Sequence, residues 1–333
     1  MEGLLLDIVV ILAKILVIFG ITMFIAGWTT WAERKIIGHM QIRLGVMRTG
    51  FHGLLQPLAD GLKLLFKESV LPNGCDRLTY ELAPVMSIVP AIMAIAIIPF
   101  SDQVFSIFGL DISPHIAGGL NIGILYLFAW SSLSPYGMVF AGWSSNNKYS
   151  LLGALRAAAL VISYEIPFGF SIIGVLMLVG SLNLVDIVNA QIGGAWFIFK
   201  QPLAALIFFI SIVAETNRSP FDLSEAESEL VAGFCTEYAG MRYSMFFLGE
   251  YISMFVISAM FTIFFLGGWH GPVLPPILWF LIKTYIIVMF YMWLRATLPR
   301  IRYDQMMSFC WKVLLPLSIL NIFLTAVFSA LFG

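Results

Sequence analysis

The fold is indicated first by an apolar run near the N-terminus, Ile8–Trp31, which reads IVVILAKILVIFGITMFIAGWTTW and contains Lys14 as its only charged residue. A transmembrane helix needs about 20 mostly apolar residues at about 1.5 Å rise each. A removable signal peptide is not expected, because the preceding charges, Glu2 and Asp7, are acidic where such a peptide is basic, and no small-residue cleavage site follows. The run therefore predicts a permanent membrane-spanning helix.

The composition of the whole chain agrees with a membrane protein. Of 333 residues, 60% are hydrophobic and 11% charged, whereas soluble domains carry about 25% charged residues. With 18 basic and 19 acidic residues, the chain lacks the positive field of a nucleic-acid binder, so no nucleic-acid partner is expected. Cys75, Cys235 and Cys310 are too few and too scattered for a disulfide framework, structural zinc or an iron–sulfur cluster, and no metal site is expected.

Seven further windows are long and apolar enough to span a membrane. The resulting prediction is a single polytopic domain, 1–333, with an all-α bundle of eight transmembrane helices. The fifth window is the weakest, because Lys200 lies near its start and Glu215 follows its end, so seven helices is the fallback count. The eight windows are 8–31, 82–100, 118–143, 157–180, 196–214, 243–268, 277–298 and 313–332.

The orientation of the bundle follows from the positions of lysine and arginine. All of these residues except Lys14, Lys200 and Lys283 lie in the odd-numbered connections or at the helix ends beside them. Basic loops stay on the cytoplasmic side, so both termini are expected on the non-cytoplasmic side. The two long inner connections, 32–81 and 215–242, are then where function should be sought.

The first inner connection predicts an amphipathic helix. Its apolar residues recur at helical spacing, while Gln56, Asp60, Lys63 and Lys67 occupy the other face. Such a helix lies in the plane of the membrane interface or packs on the bundle, and both remain open. The apolar positions are Leu54, Leu55, Leu58, Leu62, Leu65 and Phe66.

The second inner connection is acidic. Its sequence at 219–222, Ser-Pro-Phe-Asp, predicts a helix start, with serine as the N-cap and proline at the first position. Asp222 and Glu225, and likewise Glu225 and Glu229, are three or four residues apart and so share a helix face, and a partly dehydrated group of them should titrate as coupled sites. The alternative is an acidic, solvated helix that serves only folding. The acids are Glu215, Asp222, Glu225, Glu227, Glu229 and Glu237.

Two acids are predicted inside membrane spans. Glu165 lies near the middle of the fourth span and Glu250 about two turns into the sixth. An acid at the bilayer centre costs about 2.5–3.5 kcal/mol on insertion scales and normally faces the bundle interior or a water-filled cavity. The alternative is a protonated acid bonded to a backbone carbonyl. Since neither a GxGxxG fingerprint nor a Walker A motif occurs, the acids favour proton transfer over nucleotide chemistry.

Seven sequence stretches together resemble one family. The chain is similar to the H-type membrane subunit of bacterial NADH:quinone oxidoreductases, the enzymes known as respiratory complex I, and to its counterpart, mitochondrial NADH dehydrogenase subunit 1. The likeness covers essentially the whole chain. The stretches are WAERK at 31–35, QIRLG at 41–45, LQPLAD at 55–60, GWSSNNKY at 142–149, SYE at 163–165, AETNRSPFDL at 214–223 and EAESELVAGF at 225–234.

This resemblance implies a function that composition does not. Members of the family have eight transmembrane helices, sit in the bacterial inner membrane and help form the chamber that admits quinone. The chain would bind no cofactor of its own and have no catalytic residue by itself, since NADH, FMN and the iron–sulfur clusters belong to partner subunits. The implied partners are the hydrophilic quinone-module subunits, small membrane subunits and membrane lipid.

The resemblance also assigns roles to residues. The acids would form a proton relay between the quinone site and the membrane arm: Glu165, Glu215, Asp222, Glu225, Glu227, Glu229 and Glu250. A second set would line the quinone chamber or contact the peripheral arm: Glu33, Arg34, Lys35, Arg43, Asp60, Lys63, Phe221 and Phe234. The sequence departs from the family after Gly45, where Val46-Met47 replaces the usual Pro-Asn, which bears on how rigidly this loop is held.

Two other functions fit the same residues. The homologous anchor subunit of a membrane-bound hydrogenase would share the bundle without needing a quinone, and its co-purifying subunits would reveal it. A stand-alone ion or solute carrier would use the same intramembrane acids, and the purified chain alone would then transport. The absence of two equivalent halves counts against a carrier.

Overall fold

The fold is all-helical apart from one short hairpin. The computed structural model describes residues 2–102, 105–107, 110–112, 116–117, 119–222 and 231–332. The predicted all-α fold is therefore confirmed. In chain order the elements are α1 (Glu2–Met40), α2 (Gln56–Phe66), α3 (Arg77–Ile95), β1 (Phe105–Ile107), β2 (Leu110–Ile112), α4 (Gly123–Ser131), α5 (Ser134–Ser144), α6 (Lys148–Val179), α7 (Leu184–Asn189), α8 (Phe197–Lys200), α9 (Pro202–Glu215), α10 (Gly240–Phe265), α11 (Pro276–Thr297), α12 (Tyr303–Phe309) and α13 (Leu315–Phe332).

Seven helical stretches of the described chain are long and apolar enough to cross a membrane. They coincide with seven of the eight predicted windows. The fifth window instead holds α8 and α9, separated at Gln201. Because α9 has 14 residues, it is about 21 Å long and by itself shorter than the hydrocarbon core of about 30 Å. The seven stretches are Val10–Met40, Arg77–Ile95, Gly123–Ser144, Lys148–Val179, Gly240–Phe265, Pro276–Thr297 and Tyr303–Leu331.

Several helices extend further than the hydropathy windows. α1 continues through the predicted loop start to Met40, and α3 begins at Arg77, so the first long connection is 41–76 rather than 32–81. The extension of α1 carries Glu33, which is 3% exposed. The charge of Glu33 ended the predicted apolar window at Trp31. The partners of this carboxylate lie inside the bundle, so the helix continues past it.

Prolines divide the third window into two helices. α4 ends at Ser131 and α5 begins at Ser134, with Pro135 in its first turn. Proline favours the first turn of a helix because its missing N–H would be unpaired there in any case. The break places Ser131 and Ser134 side by side within the bundle, where both line cavities described below.

The last span contains an irregular turn. Between α12 and α13, Cys310–Leu314 form a π-helix. The Tyr164 hydroxyl of α6 donates to the Met306 carbonyl at 3.1 Å, and the Cys310 thiol donates to the Ser163 carbonyl at 3.2 Å. These bonds attach α12 and the π turn to the helix that carries Glu165.

The core is centred on α10. Nearly every residue of its second half is buried, in contact with α3, α9 and α11. Phe208 of α9 lies at the middle of an aromatic cluster, with its ring centroid 4.9 Å from Phe168 and 5.3 Å from Phe265. Aromatic pairs at these separations add about 0.5–1.5 kcal/mol beyond burial. The cluster holds the short helix α9 against α6 and α10.

The predicted helix start at Ser219–Asp222 is wrong. These residues form a turn that includes a cis Ser219–Pro220 bond. The Phe221 amide donates to the Arg218 carbonyl at 2.8 Å, and the Ile301 amide donates to the Pro220 carbonyl at 3.2 Å. Tertiary hydrogen bonds to the segment after α11 therefore hold this turn, where local capping preferences predicted a helix.

The connection between α9 and α10 is also fixed where it approaches α10. The Tyr80 hydroxyl donates to the Glu237 carbonyl at 2.8 Å, and the Tyr238 hydroxyl donates to the Tyr80 carbonyl at 3.1 Å. Their rings stack with centroids 4.2 Å apart, and Asn147 donates to the Glu237 carboxylate at 2.8 Å. This reciprocal pair holds 233–238 against α3, α5 and α6.

Candidate functional site

The site is built around Arg218, whose position follows from the way α9 ends. Asn217 has a left-handed backbone with φ of 49°, and asparagine is one of the few residues that tolerate this conformation at a helix C-terminus. The Arg218 amide donates to the Val213 carbonyl at 3.3 Å. The chain therefore turns back on the helix end, and the Arg218 side chain enters the bundle, where it is 6% exposed.

Arg218 joins two carboxylates from different helices. Its Nη1 donates to both oxygens of Glu33 on α1, at 2.9 and 3.1 Å. Its Nε lies 2.6 Å from Oε1 of Glu250 on α10. The guanidinium also lies over the Tyr251 ring at 4.6 Å, and the Tyr251 hydroxyl donates to Glu33 at 2.8 Å. One cation thus links α1, α10 and the turn after α9.

Two further arginines complete this network. Arg295, near the end of α11, donates to Oε1 of Glu33, and Arg300 lies 3.2 Å from Asp222. We call Glu33, Asp222, Glu250, Arg218, Arg295 and Arg300 the ion-pair network. Burial alone would lower the pKa of Arg218, but Glu250 and Glu33 outweigh burial and raise its pKa well above the ordinary value. Arg218 therefore stays charged, and the carboxyl groups are the ones that can exchange protons.

A cavity continues from the network into the bundle. It has a volume of about 50 Å³ and is bounded by Glu250 at one side and Glu215 at another. A second cavity of about 40 Å³ shares Glu215, Ser134 and Ser253 with the first. Since a water molecule needs about 10–15 Å³ of such volume, each cavity has room for about three. Polar side chains therefore connect Glu250 to Glu215 through space that admits water.

Glu215 lies at the junction of the two cavities. It is the last residue of α9, its Oε2 atom is buried without a hydrogen-bond partner, and Ser131 lies beside it. Glu165 of α6 is within electrostatic range of its carboxylate. The structure thus brings Glu165 and Glu215 near each other. Glu165 is half-buried, and the Oε2 atom of Glu215 is buried.

A second group of charges lies where α2 meets α1. Arg34 donates to Asp60 at 2.7 Å, Gln56 donates to it at 2.9 Å, and Lys63 is 3.9 Å away. Burial alone would raise the pKa of Asp60, but the hydrogen bonds from Gln56 and Arg34 and the positive charges outweigh it and lower the pKa. α2 exists as predicted, with Leu58, Leu62 and Leu65 exposed. This group is separate from the ion-pair network in its contacts.

The other predicted chamber residues take different places. Lys35 donates to the sulfur of Met47 at 2.7 Å, and Arg43 donates to Gln41 at 2.8 Å in an exposed loop. Phe221 is buried against Tyr164, with ring centroids 5.2 Å apart. Phe234 lines the first cavity. The acids Glu225, Glu227 and Glu229 lie outside the described residues.

Four residues of the site were not among the predicted site residues. Arg218 falls within the stretch at 214–223 that resembles the family, Arg295 and Arg300 only mark the basic side of the bundle, and the sequence assigns no role to Tyr251. Position is the one signal that they share: each lies within a few residues of a predicted acid or near the basic end of a span. Pairing a buried acid with a nearby base would have suggested Arg218.

These features define a class of protein: a multi-pass helical membrane protein with a network of carboxylates and arginines at one end of the bundle. In this network Arg218, Glu33 and Asp222 are buried, whereas Arg295 and Arg300 are partly exposed. Acids and hydroxyl groups continue it inward. Among the described residues, no group of three or more histidine, cysteine or acidic side chains is placed to hold a metal ion.

The particular family follows from comparison with known proteins. Residues 13–326 match the model of the NADH dehydrogenase family, and the chain belongs to that family. The first of the H-type subunits of NADH-quinone oxidoreductase in Geobacter sulfurreducens is 52% identical over 330 residues, covering 96% of this chain and 94% of the relative. The H-type subunit of Syntrophotalea carbinolica is 49% identical and covers 98% of each chain. The second H-type subunit of Rhizobium meliloti is 48% identical, covering 96% of this chain and 97% of the relative.

Proposed function

We propose that this chain is the subunit of a respiratory NADH-quinone oxidoreductase that forms part of the quinone chamber and couples quinone reduction to proton translocation. The observation that carries the proposal is the series from Glu33 through Arg218 to Glu250, and from there along the cavities to Glu215. Glu165 lies within electrostatic range of Glu215. Electrons would come from a partner subunit, since this chain offers proton-handling groups.

A quinone takes two electrons from the partner subunit and two protons to become a quinol. Negative charge arising beside the ion-pair network favours proton uptake by its carboxyl groups. Protonation of Glu250 would free Arg218 from one of its two carboxylates, which moves positive charge toward Glu33. The changed field then favours proton exchange at Glu215 through the cavities, and the charge of Glu215 acts in turn on Glu165.

The membrane arrangement is part of the proposal. α8 and α9 together would form the eighth crossing, because their combined length from 197 to 215 approaches the thickness of the hydrocarbon core. Both termini would face away from the bacterial cytoplasm. The exposed leucines of α2 would lie in the membrane interface. Reporter fusions after 333 that are active in the cytoplasm would contradict this orientation.

The relay is tested by replacing Glu215 with glutamine in the assembled complex. We expect NADH-driven proton pumping in inverted membrane vesicles to fall at least tenfold while the complex still assembles. Glu81→Gln is the matched control, since Glu81 pairs with Arg77 at 3.1 Å on the exposed surface. Pumping at the wild-type rate in an assembled Glu215→Gln complex would exclude the relay.

The assembly is tested by purifying the tagged chain from its native membrane. The partners expected are the hydrophilic quinone-module subunits and small membrane subunits, together with bound quinone. Co-purification of a nickel–iron hydrogenase module without quinone would contradict the proposed function.

A further inference from the structure

Three serine hydroxyl groups border the first cavity without a hydrogen bond to the protein. They belong to Ser87 of α3, Ser134 of α5 and Ser253 of α10, and the same cavity is bounded by Glu250 and Glu215. No hydrogen bond joins these three hydroxyl groups to another described residue. Because polar groups inside proteins are almost always paired, unpaired hydroxyl groups at this place call for a reason.

Other serines of the bundle differ from these three in their surroundings. Ser258, five residues after Ser253 on α10, donates to the Met254 carbonyl at 2.7 Å. Serines in helices commonly bond to a carbonyl three or four residues earlier in this way. Ser150 and Ser211 also lack partners, but their oxygens are enclosed by protein atoms and line neither cavity. The hydroxyl of Ser253 is instead available to molecules inside the cavity.

Ser134 and Ser253 lie where the two cavities meet. Ser253 follows Glu250 by three residues, so the two side chains share a face of α10. Ser134 is the first residue of α5. Both serines border the second cavity as well as the first, and Glu215 is the third residue that the two cavities share. The two hydroxyl groups therefore mark the place where a path from Glu250 reaches Glu215.

The walls of the two cavities differ in what they offer to water. The first cavity adds Thr216 and Asn217 to the serines and the two acids, whereas the second is lined by apolar and aromatic side chains apart from the shared residues and Ser131. A buried water needs about two to four polar partners, and apolar cavities stay dry. The polar wall of the first cavity therefore suits a short water chain that ends at Glu215.

We propose that Ser253 and Ser134 are positioning residues whose hydroxyl groups hold the water molecules that pass protons between Glu250 and Glu215. A hydroxyl group can accept a hydrogen bond from one water and donate one to the next. When a proton moves along such a chain, each oxygen gains a hydrogen on one side and releases one on the other. The serines are therefore neutral before and after the step, and the proton lost by one acid is gained by the other. The proposal rests on the proposed proton-coupling function and adds the residues that fix the path.

The test uses Ser253→Ala in the assembled complex, because alanine removes the hydroxyl and keeps the Cβ atom. Ser258→Ala is the matched control, since Ser258 lies on the same helix and lines neither cavity. NADH-driven proton pumping in inverted membrane vesicles is measured per assembled complex. We expect Ser253→Ala to lower the pumping rate about threefold to tenfold, which corresponds to about 0.7–1.4 kcal/mol, or about the net value of one hydrogen bond. Ser258→Ala should pump at the wild-type rate.

Ser253→Thr separates a hydrogen-bonding role from a packing role. Threonine restores the hydroxyl group, and its additional methyl group has room beside two cavities. We expect Ser253→Thr to recover most of the pumping that Ser253→Ala loses. An equal loss in both variants overturns the inference, as does wild-type pumping in Ser253→Ala.

Glu215→Gln, measured alongside, distinguishes this inference from the proposed function. Wild-type pumping in Glu215→Gln removes the relay itself. Lost pumping in Glu215→Gln with wild-type pumping in Ser253→Ala overturns only the role of the serines. If Ser253→Ala does not assemble, Ser134→Ala replaces it with the same expected loss, and wild-type pumping there overturns the inference. Its control is Ser132→Ala, since the Ser132 hydroxyl donates to the Ala129 carbonyl at 3.2 Å and Ser132 lines neither cavity.

Discussion

Replacing Arg218 with lysine keeps the positive charge at the centre of the ion-pair network but removes the fork that reaches two carboxylates. Guanidinium nitrogens contact Glu33 at 2.9 and 3.1 Å and Glu250 at 2.6 Å, and the plane lies over Tyr251. A lysine ammonium is a point charge on a flexible chain and lacks the planar fork. It can therefore hold one carboxylate firmly and must leave the other with a weaker partner.

The expected loss is worked from these contacts. A hydrogen bond to a charged group is worth about 1.5–3 kcal/mol, and a cation–π contact away from water is worth about 0.5–2 kcal/mol. The side chains of Arg218 and Glu33 are 7% and 4% exposed, so solvent screens this pair little. A loss of about 2–5 kcal/mol changes the ratio of intact to open network at least about thirtyfold, since about 1.4 kcal/mol is a factor of ten.

The assay compares Arg218→Lys with Arg242→Lys in purified complex and in vesicles. Arg242 is a partly exposed control that lies 3.5 Å from Glu81. We expect Arg218→Lys to lower the temperature at which quinone reductase activity is lost and to reduce proton pumping per NADH oxidised, whereas Arg242→Lys behaves as wild type. Wild-type thermal inactivation and pumping in Arg218→Lys would refute the reasoning, because net charge is the same and only the fork is gone.

Three other outcomes are expected. Lys283→Met removes a donor to three carbonyls at 2.7, 3.1 and 2.7 Å after α10, so limited proteolysis should cut 266–272 faster than in wild type. Gly137→Ala places a methyl group 2.9 Å from the Ser87 amide nitrogen and should reduce the yield of assembled complex through overpacking of about 1–3 kcal/mol; Gly169→Ala, with its nearest neighbour at 3.9 Å, should not. Asp60→Asn should lower the free energy of unfolding by under about 1 kcal/mol, because the partners of Asp60 are largely exposed. The pKa of Asp60 is held below its usual value. The loss of stability should therefore be equal at about pH 5.5 and about pH 8, and it should disappear only as the pH falls through that lowered pKa.

The sequence was sufficient to predict elements whose signal is local. Seven spans follow from hydropathy, and α2 follows from helical spacing of its leucines. The helix breaks before Pro135 and Pro202 were predictable from local sequence in the same way, since both prolines occupy the first turn of a new helix. These features depend on residues within a window of about twenty, so they can be predicted without knowledge of distant contacts.

The partners of the buried charges were not predictable in this way. Glu33 is separated from Arg218 by 185 residues and from Arg295 by 262 residues. Their meeting depends on how α1, α10 and α11 pack, and nothing in either local sequence specifies it. The turn at Ser219 shows the same limit. The bond from the Phe221 amide to the Arg218 carbonyl is local, but the bond from the Ile301 amide to the Pro220 carbonyl is tertiary, and the local helix signal does not contain it.

The arrangement of charge distinguishes the carboxylates of the ion-pair network from Glu215. In the ion-pair network each carboxylate meets an arginine, so its negative charge is balanced where it stands. For Glu215, the described residues place no lysine or arginine within salt-bridge distance, and its surroundings offer hydroxyl groups instead. Because an isolated buried carboxylate is far less stable than its protonated form, a proton is the counter-charge that remains for it. On the proposed mechanism, a change of charge beside Glu33 therefore reaches Glu215 as a gain or loss of a proton, which is the step that coupling requires.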